Sequence, residues 1–248
     1  MLILRTKRYW IATCVGACFY AVLTVLANAS MGAGESLWIL AFAPILSPVS
    51  VFSVLTPVIP MAIVTFAFLP FFYSSFRQWW LIRANRRIGA IIVIITVCGS
   101  GYLIIGYPLA VLCLKFCLHG YRVFPEVDGI VSWLGISNAI GLLLLVSVLV
   151  SISIALLTFV IAFWCNKGWQ TLSISMLIYV VAPMLLIIPG VLPESWMPVN
   201  VYYRLLSESA PRIGTVAGVM TYIGGILITC GLLVFWGYRR ECQSGWES

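Results

Sequence analysis

The chain has 248 residues, 62% of them hydrophobic and only 8% charged, with a net charge of +7 and a mean hydropathy of +1.10. Soluble domains carry roughly 25% charged residues, so this composition excludes a soluble globular fold and makes the bilayer the solvent. Barrel strands alternate apolar and polar residues over about ten positions; the apolar runs here are continuous, which leaves helices as the spanning element.

The runs free of Asp, Glu, Lys and Arg cover residues 9–34, 36–76, 88–114, 129–166, 168–193 and 213–238. Each meets the roughly 20 residues that a spanning helix needs. The second run is long enough for two helices and holds Pro44, Pro48, Pro57, Pro60 and Pro70. Charge parity decides between one helix and two. With six spans and both ends inside, the inner segments hold Arg5, Lys7, Arg8, Arg77, Arg83, Arg86, Arg87, Lys167, Arg239 and Arg240. The outer segments then hold Lys115, Arg122, Arg204 and Arg212. An extra span would carry residues 76–87 outside and break the positive-inside bias. Residues 36–49 are therefore expected as an interfacial or re-entrant segment, broken by Pro44 and Pro48, that leads into a single span.

The expected fold is an all-α polytopic membrane protein of six transmembrane helices with cytoplasmic termini. It forms one transmembrane domain over 1–248, with spans near 9–29, 50–73, 88–112, 137–164, 169–192 and 213–237. Tryptophans 10, 38, 79, 80, 133, 164, 169, 196 and 236 fall near the span ends, as an aromatic belt requires. Five acids, Glu35, Glu126, Asp128, Glu194 and Glu208, fall outside. The positive charge thus follows from topology and an anionic inner leaflet, and nucleic acid is not an expected partner. Residues 1–30 also carry signal-peptide features, with Arg5 and Arg8 before an apolar stretch and Ala27-Asn28-Ala29 before Ser30. That stretch, about 18 residues, exceeds an ordinary signal core, which favours a retained first span.

No ionisable residue lies deep in any expected span, which argues against an ion-coupled carrier or voltage sensor. Cys113, Cys117 and His119 have a spacing that could gather two thiols and an imidazole, but a fourth ligand is missing, so no metal is expected. Cys14 and Cys18 repeat the spacing without a histidine and read as small apolar residues. Ser137 lacks a base within a span, and Glu126 and Asp128 read as solvated loop carboxylates, so no catalytic residue is expected. Asn28-Ala29-Ser30 matches a glycosylation sequon but lies too close to the membrane to serve as one. The chain lacks even a Gly-Lys dipeptide, so any ATP hydrolysis belongs to another polypeptide.

Residues 76–87, FRQWWLIRANRR, hold four basic residues, no acid and a tryptophan pair. A short interfacial helix there would bury Phe76, Trp79, Trp80 and Ile82 in the bilayer or a partner groove. Arg77, Arg83, Arg86 and Arg87 would then meet headgroups or an acidic protein surface. Before this segment stand Leu55-Thr56-Pro57 and Pro60; after it come Gly99-Ser100-Gly101, Gly106, Tyr107 and Pro108. This pattern over residues 55–112, together with the six-span layout, resembles the permease subunits of ABC-2 type transporters. The short bacterial type, found in peptide export and bacteriocin self-protection, is the nearest likeness.

The resemblance implies a membrane-spanning subunit of an ATP-driven exporter for an amphipathic or hydrophobic cargo, in the cytoplasmic membrane. Its partners would be separate ABC ATPase subunits, which bind the ATP and Mg, and a second copy or a related permease. Phe76, Arg77, Trp79, Trp80, Arg83, Arg86 and Arg87 would then be the ATPase-coupling segment. Pro57, Pro60, Pro108 and Pro183 stand as helix-kink candidates. From a different class, an ATP-independent immunity or scaffold protein that sequesters a toxin fits the same composition.

Overall fold

The computed structural model describes residues 7–31, 38, 41–42, 44, 55–73, 88–117, 135–165, 167–181 and 213–244. Among them every element is helical. In chain order they are α1 (Lys7–Met31), α2 (Val58–Ile63), the π-helical turn π1 (Val64–Phe68) and α3 (Leu69–Phe72). Then come α4 (Ile88–Cys117), α5 (Ile136–Ala162), α6 (Gly168–Met176), a second π-helical turn π2 (Leu177–Val181) and α7 (Ile213–Ser244). Three helices among the described residues are long and apolar enough to cross a membrane, over Lys7–Asn28, Val93–Cys117 and Ser137–Ala162. Only 44%, 56% and 50% of these windows is buried inside the protein. The rest is outward-facing apolar surface such as Ile11, Val15 and Ile104, the signature of helices solvated by lipid.

Named contacts fix the relative directions of the helices. Tyr9 of α1 reaches the Val97 carbonyl of α4, and Ala17 further along α1 lies against Gly106 further along α4. The two helices run parallel. Gly99 lies against Ala155 and the Ser151 carbonyl, while Tyr102 meets Ser151. Helices α4 and α5 therefore run antiparallel. A Cβ at Gly99 would collide with Ala155 and stand 3.0 Å from the Ser151 oxygen, so glycine is what lets these backbones close. At this crossing the Tyr102 hydroxyl shares a buried 3.1 Å hydrogen bond with the Ser151 hydroxyl.

Local chemistry explains the second apolar run. Pro57 is the N-cap of α2, and Pro60 lies within its first turn, where the missing N–H would have no helical partner anyway. These two prolines open a helix. Pro70 behaves differently. It lies in the first turn of α3, directly after π1. Just before it the helix is wider: the Leu69 N–H bonds the Val64 carbonyl five residues back. Turn π2 likewise ends two residues before a proline, Pro183, which lies outside the described residues. Pro108 sits on the exposed face of α4, which continues through it as one helix.

Of residues 36–49, Trp38, Ala41, Phe42 and Pro44 are described, and Ala41 and Phe42 are fully buried. The Tyr20 hydroxyl donates to the Ala41 carbonyl at 2.9 Å, and the Tyr107 hydroxyl donates to the Trp38 carbonyl at 3.1 Å. Phe42 packs on the Tyr107 ring with centroids 4.8 Å apart. Backbone carbonyls in a membrane protein must find their hydrogen bonds within the protein, and these tyrosines supply them for helical Trp38 and for Ala41, which lies in a turn. Asn28 of the sequon is buried in α1 and donates its amide to the Thr24 carbonyl at 2.7 Å.

Candidate functional site: the anchorage of the basic segment

Two phenylalanine pairs spaced four apart, Phe68/Phe72 and Phe159/Phe163, each place two rings on one side of their segment. The structure brings the pairs together. Phe159 meets Phe68 at 5.1 Å, Phe72 at 5.3 Å and Phe163 at 5.1 Å, all edge to face. Phe72 also meets Phe163 at 5.4 Å and Tyr73 at 5.5 Å. Such pairs contribute roughly 0.5–1.5 kcal/mol each beyond their burial. On its far side the Phe163 ring closes on Gly237 of α7, where a Cβ would stand 3.0 Å from two ring carbons. Glycine at 237 thus lets α7 join the cluster.

Tyr73 adds the polar half of the joint. Its hydroxyl lies 2.7 Å from the Thr171 hydroxyl in α6 and 3.2 Å from the Ala162 carbonyl at the end of α5. A phenol has one proton to give. The shortest consistent set has Tyr73 donating to Ala162 and accepting from Thr171. In the alternative, Tyr73 donates to Thr171, whose own proton then reaches the Lys167 carbonyl over 3.4 Å. The first set also satisfies one of the carbonyls that a helix end leaves without a partner. Thr65 of π1 lies against Gly168 across the same contact between π1 and α6. The hydroxyls of Thr65 and of Ser175, further along α6, are buried with no hydrogen-bond partner.

Loss of the phenol hydroxyl tests the joint. Tyr73→Phe strands the Ala162 carbonyl, and the expected destabilisation is about 1 kcal/mol, near the middle of the range for one buried hydrogen bond. Thr171→Val added to Tyr73→Phe should cost less than Thr171→Val alone, a coupling readable from unfolding in mixed micelles.

The joint ties α3 to α5 and α6, and its described side chains are rings and hydroxyls with no carboxylate, imidazole or thiol among them. Tyr73 is the last described residue before residues 74–87, and α4 resumes at Ile88. Phe76, Arg77, Trp79, Trp80, Arg83, Arg86 and Arg87 therefore lie outside the described residues, as do Pro183, His119, Glu126 and Asp128. Among the described residues no three of His, Cys, Asp and Glu gather in a way that could hold a metal. Cys113 is half-buried and Cys117 exposed on α4, and Ser137 is exposed at the start of α5.

Reading the sequence for ionisable groups passed over the Tyr73–Thr171 and Tyr102–Ser151 pairs. The available signal was hydroxyl residues spaced four apart, Ser147/Ser151 and Thr171/Ser175, inside otherwise apolar helices. No protein-family model and no curated protein matches this chain, so the reading of the site rests on its own residues.

Proposed function

We propose that this chain is the membrane-spanning permease subunit of an ATP-driven ABC exporter in the cytoplasmic membrane. It moves an amphipathic or hydrophobic cargo such as a peptide, a lipid-linked molecule or a drug. Two separate ABC ATPase chains bind ATP and Mg, and a second copy or a related permease completes the pathway. The observation that carries this reading is the anchorage of Tyr73. Three residues before the basic segment begins, the chain is tied by rings and hydroxyls to α5 and α6, and through Phe163 to α7. A push on residues 76–87 would therefore reach several helices at once.

The helix directions support the six-span topology of this proposal. A parallel α1 and α4 is what a chain that crosses once between them produces, and an antiparallel α4 and α5 is what consecutive spans produce. Helices α5 and α7 meet near their C-terminal ends, as the fourth and sixth spans would.

The test is co-isolation and energy dependence. The tagged chain should recover an ABC ATPase from its native membrane, and cargo export should stop with an ATPase variant that binds but cannot hydrolyse ATP. Export or toxin protection that persists with the inactive ATPase overturns the proposal and favours a sequestering immunity protein.

A further inference from the structure

The structure places an aromatic and basic cluster at the same end of the bundle that the coupling proposal does not use. Trp164, just past the end of α5, and Trp236 of α7 pack together with ring centroids 6.1 Å apart at 36°. Both stay about half exposed, 49% and 54%, although two indoles in contact in a soluble core would be covered. Tryptophan in this state belongs at the headgroup level of a bilayer, where an apolar ring and a polar N–H are both accommodated.

A basic residue follows each indole in the chain. Lys167 follows Trp164 by three residues, and Arg239 follows Trp236 by three, one helical turn further along the same face of α7. Both are exposed. The whole stretch of residues 136–181 contains no carboxylate, and α7 has a single one, Glu241, past Arg240. Lys7 and Arg8, at the start of α1, are exposed at this end too, as the parallel course of α1 and α4 requires. Rings at the acyl boundary and cations one turn outward match an amphiphile with a negative head, which a water-soluble anion does not reproduce.

We propose that Trp164, Trp236, Lys167 and Arg239 form a seat for one anionic phospholipid. Its phosphate lies between the lysine and the guanidinium, and its glycerol and upper acyl carbons lie along the paired indoles. The guanidinium offers forked donors to phosphate oxygens, and the lysine adds a point charge on a flexible stem. The inference is independent of ATP coupling and needs only that this end of the bundle lie at a membrane surface.

The full-length protein in a neutral detergent, titrated with phosphatidylglycerol or phosphatidylcholine, provides the test. Native mass spectrometry counts bound lipids, and the thermal midpoint reports stabilisation. The wild type should retain one phosphatidylglycerol more firmly than the rest and gain thermal stability from it, with little gain from phosphatidylcholine. The Lys167→Gln/Arg239→Gln variant should bind that lipid about 30-fold more weakly, the combined effect expected of two basic side chains at an anionic surface. Trp236→Leu, which keeps both charges, should also weaken it, whereas Lys7→Gln/Arg8→Gln should leave the tight lipid in place.

Equal stabilisation by phosphatidylcholine overturns the proposal, as does a Lys167→Gln/Arg239→Gln variant that keeps the tight lipid. Inorganic phosphate reproducing the full stabilisation overturns the lipid assignment. So would a tryptophan pair covered by a second copy, seen as a stable dimer that excludes phosphatidylglycerol. Should the double variant fail to fold, Trp236→Leu against the wild type decides.

Discussion

Phe159→Ala is expected to cost about 3 kcal/mol, the lower end of the range for emptying a buried phenylalanine site. The lower end applies because in a bilayer the released apolar surface meets lipid tails as apolar as itself, so the hydrophobic transfer contribution is small. What remains is lost packing, and Phe159 has much of that to lose. It is 2% exposed and touches Phe68, Phe72 and Phe163 edge to face, two on the segment before residues 76–87 and one just past the end of its own helix. Phe163 is held in turn against Gly237, so an emptied site leaves no stiff neighbour free to collapse into it.

Phe66→Ala is the control. Phe66 sits one residue after Thr65 in the same π-turn but is 61% exposed, and its removal should cost less than about 0.5 kcal/mol. Phe159→Leu should keep most of the stability, losing less than about 1.5 kcal/mol, because leucine preserves much of the volume. Unfolding in mixed micelles ranks the three. Equal costs for Phe159→Ala and Phe66→Ala would show that the cluster does not hold the bundle together.

Much of the helical layout could be read from the apolar runs. The expected spans at 9–29 and 137–164 match α1 and α5 within a few residues, because lipid-facing segments need continuous apolar sequence whatever their partners. The described part of the expected 50–73 span begins at Leu55, and α4 runs five residues past the expected end at 112, to Cys117. Lys115 sits in that extra turn; one lysine near a helix end costs little because its stem reaches back to the interface.

Proline was harder to read. Pro57, Pro60, Pro70 and Pro108 look alike in a sequence, yet the consequence depends on place. At a helix start the missing N–H has no partner to lose, whereas Pro70 follows directly on a π-helical turn and Pro108 stands inside a continuous helix. The anchorage was illegible for a related reason. Phe68/Phe72 and Phe159/Phe163 mark two apolar faces, but nothing local says that those faces meet. Their meeting is a tertiary contact between distant parts of the chain, which no local pattern encodes.

If the chain is the permease proposed above, reversing Arg83, Arg86 and Arg87 to Glu together is expected to abolish ATPase coupling, with at least a hundredfold loss of affinity for the ATPase. If acidic groups on the ATPase face the basic segment, each reversal replaces an attraction with a like-charge contact. Such juxtapositions cost several kcal/mol in sum, enough for about two decades of affinity or more. The neutral Gln triple variant should fall in between, and raising the salt should bring wild type and Gln variant closer together.

The same substitutions also touch the positive-inside bias, so a change in topology has to be told apart from a change in coupling. A cysteine placed at Ser75, labelled from either side of the membrane, makes the distinction. Unchanged labelling with lost ATPase binding supports a coupling segment. Inverted labelling assigns the arginines to orientation alone, and unchanged binding with unchanged labelling removes the segment from the mechanism. Trp79→Ala/Trp80→Ala offers an independent arm. A tryptophan pair seated in an ATPase groove should lower ATPase affinity when removed, whereas a pair seated in lipid should leave that affinity intact. Tyr73→Phe then asks whether the push travels inward: under the proposed function it should leave ATPase binding intact while lowering the amount of cargo exported per ATP hydrolysed, because Tyr73 would lose its hydrogen bonds to Ala162 and Thr171.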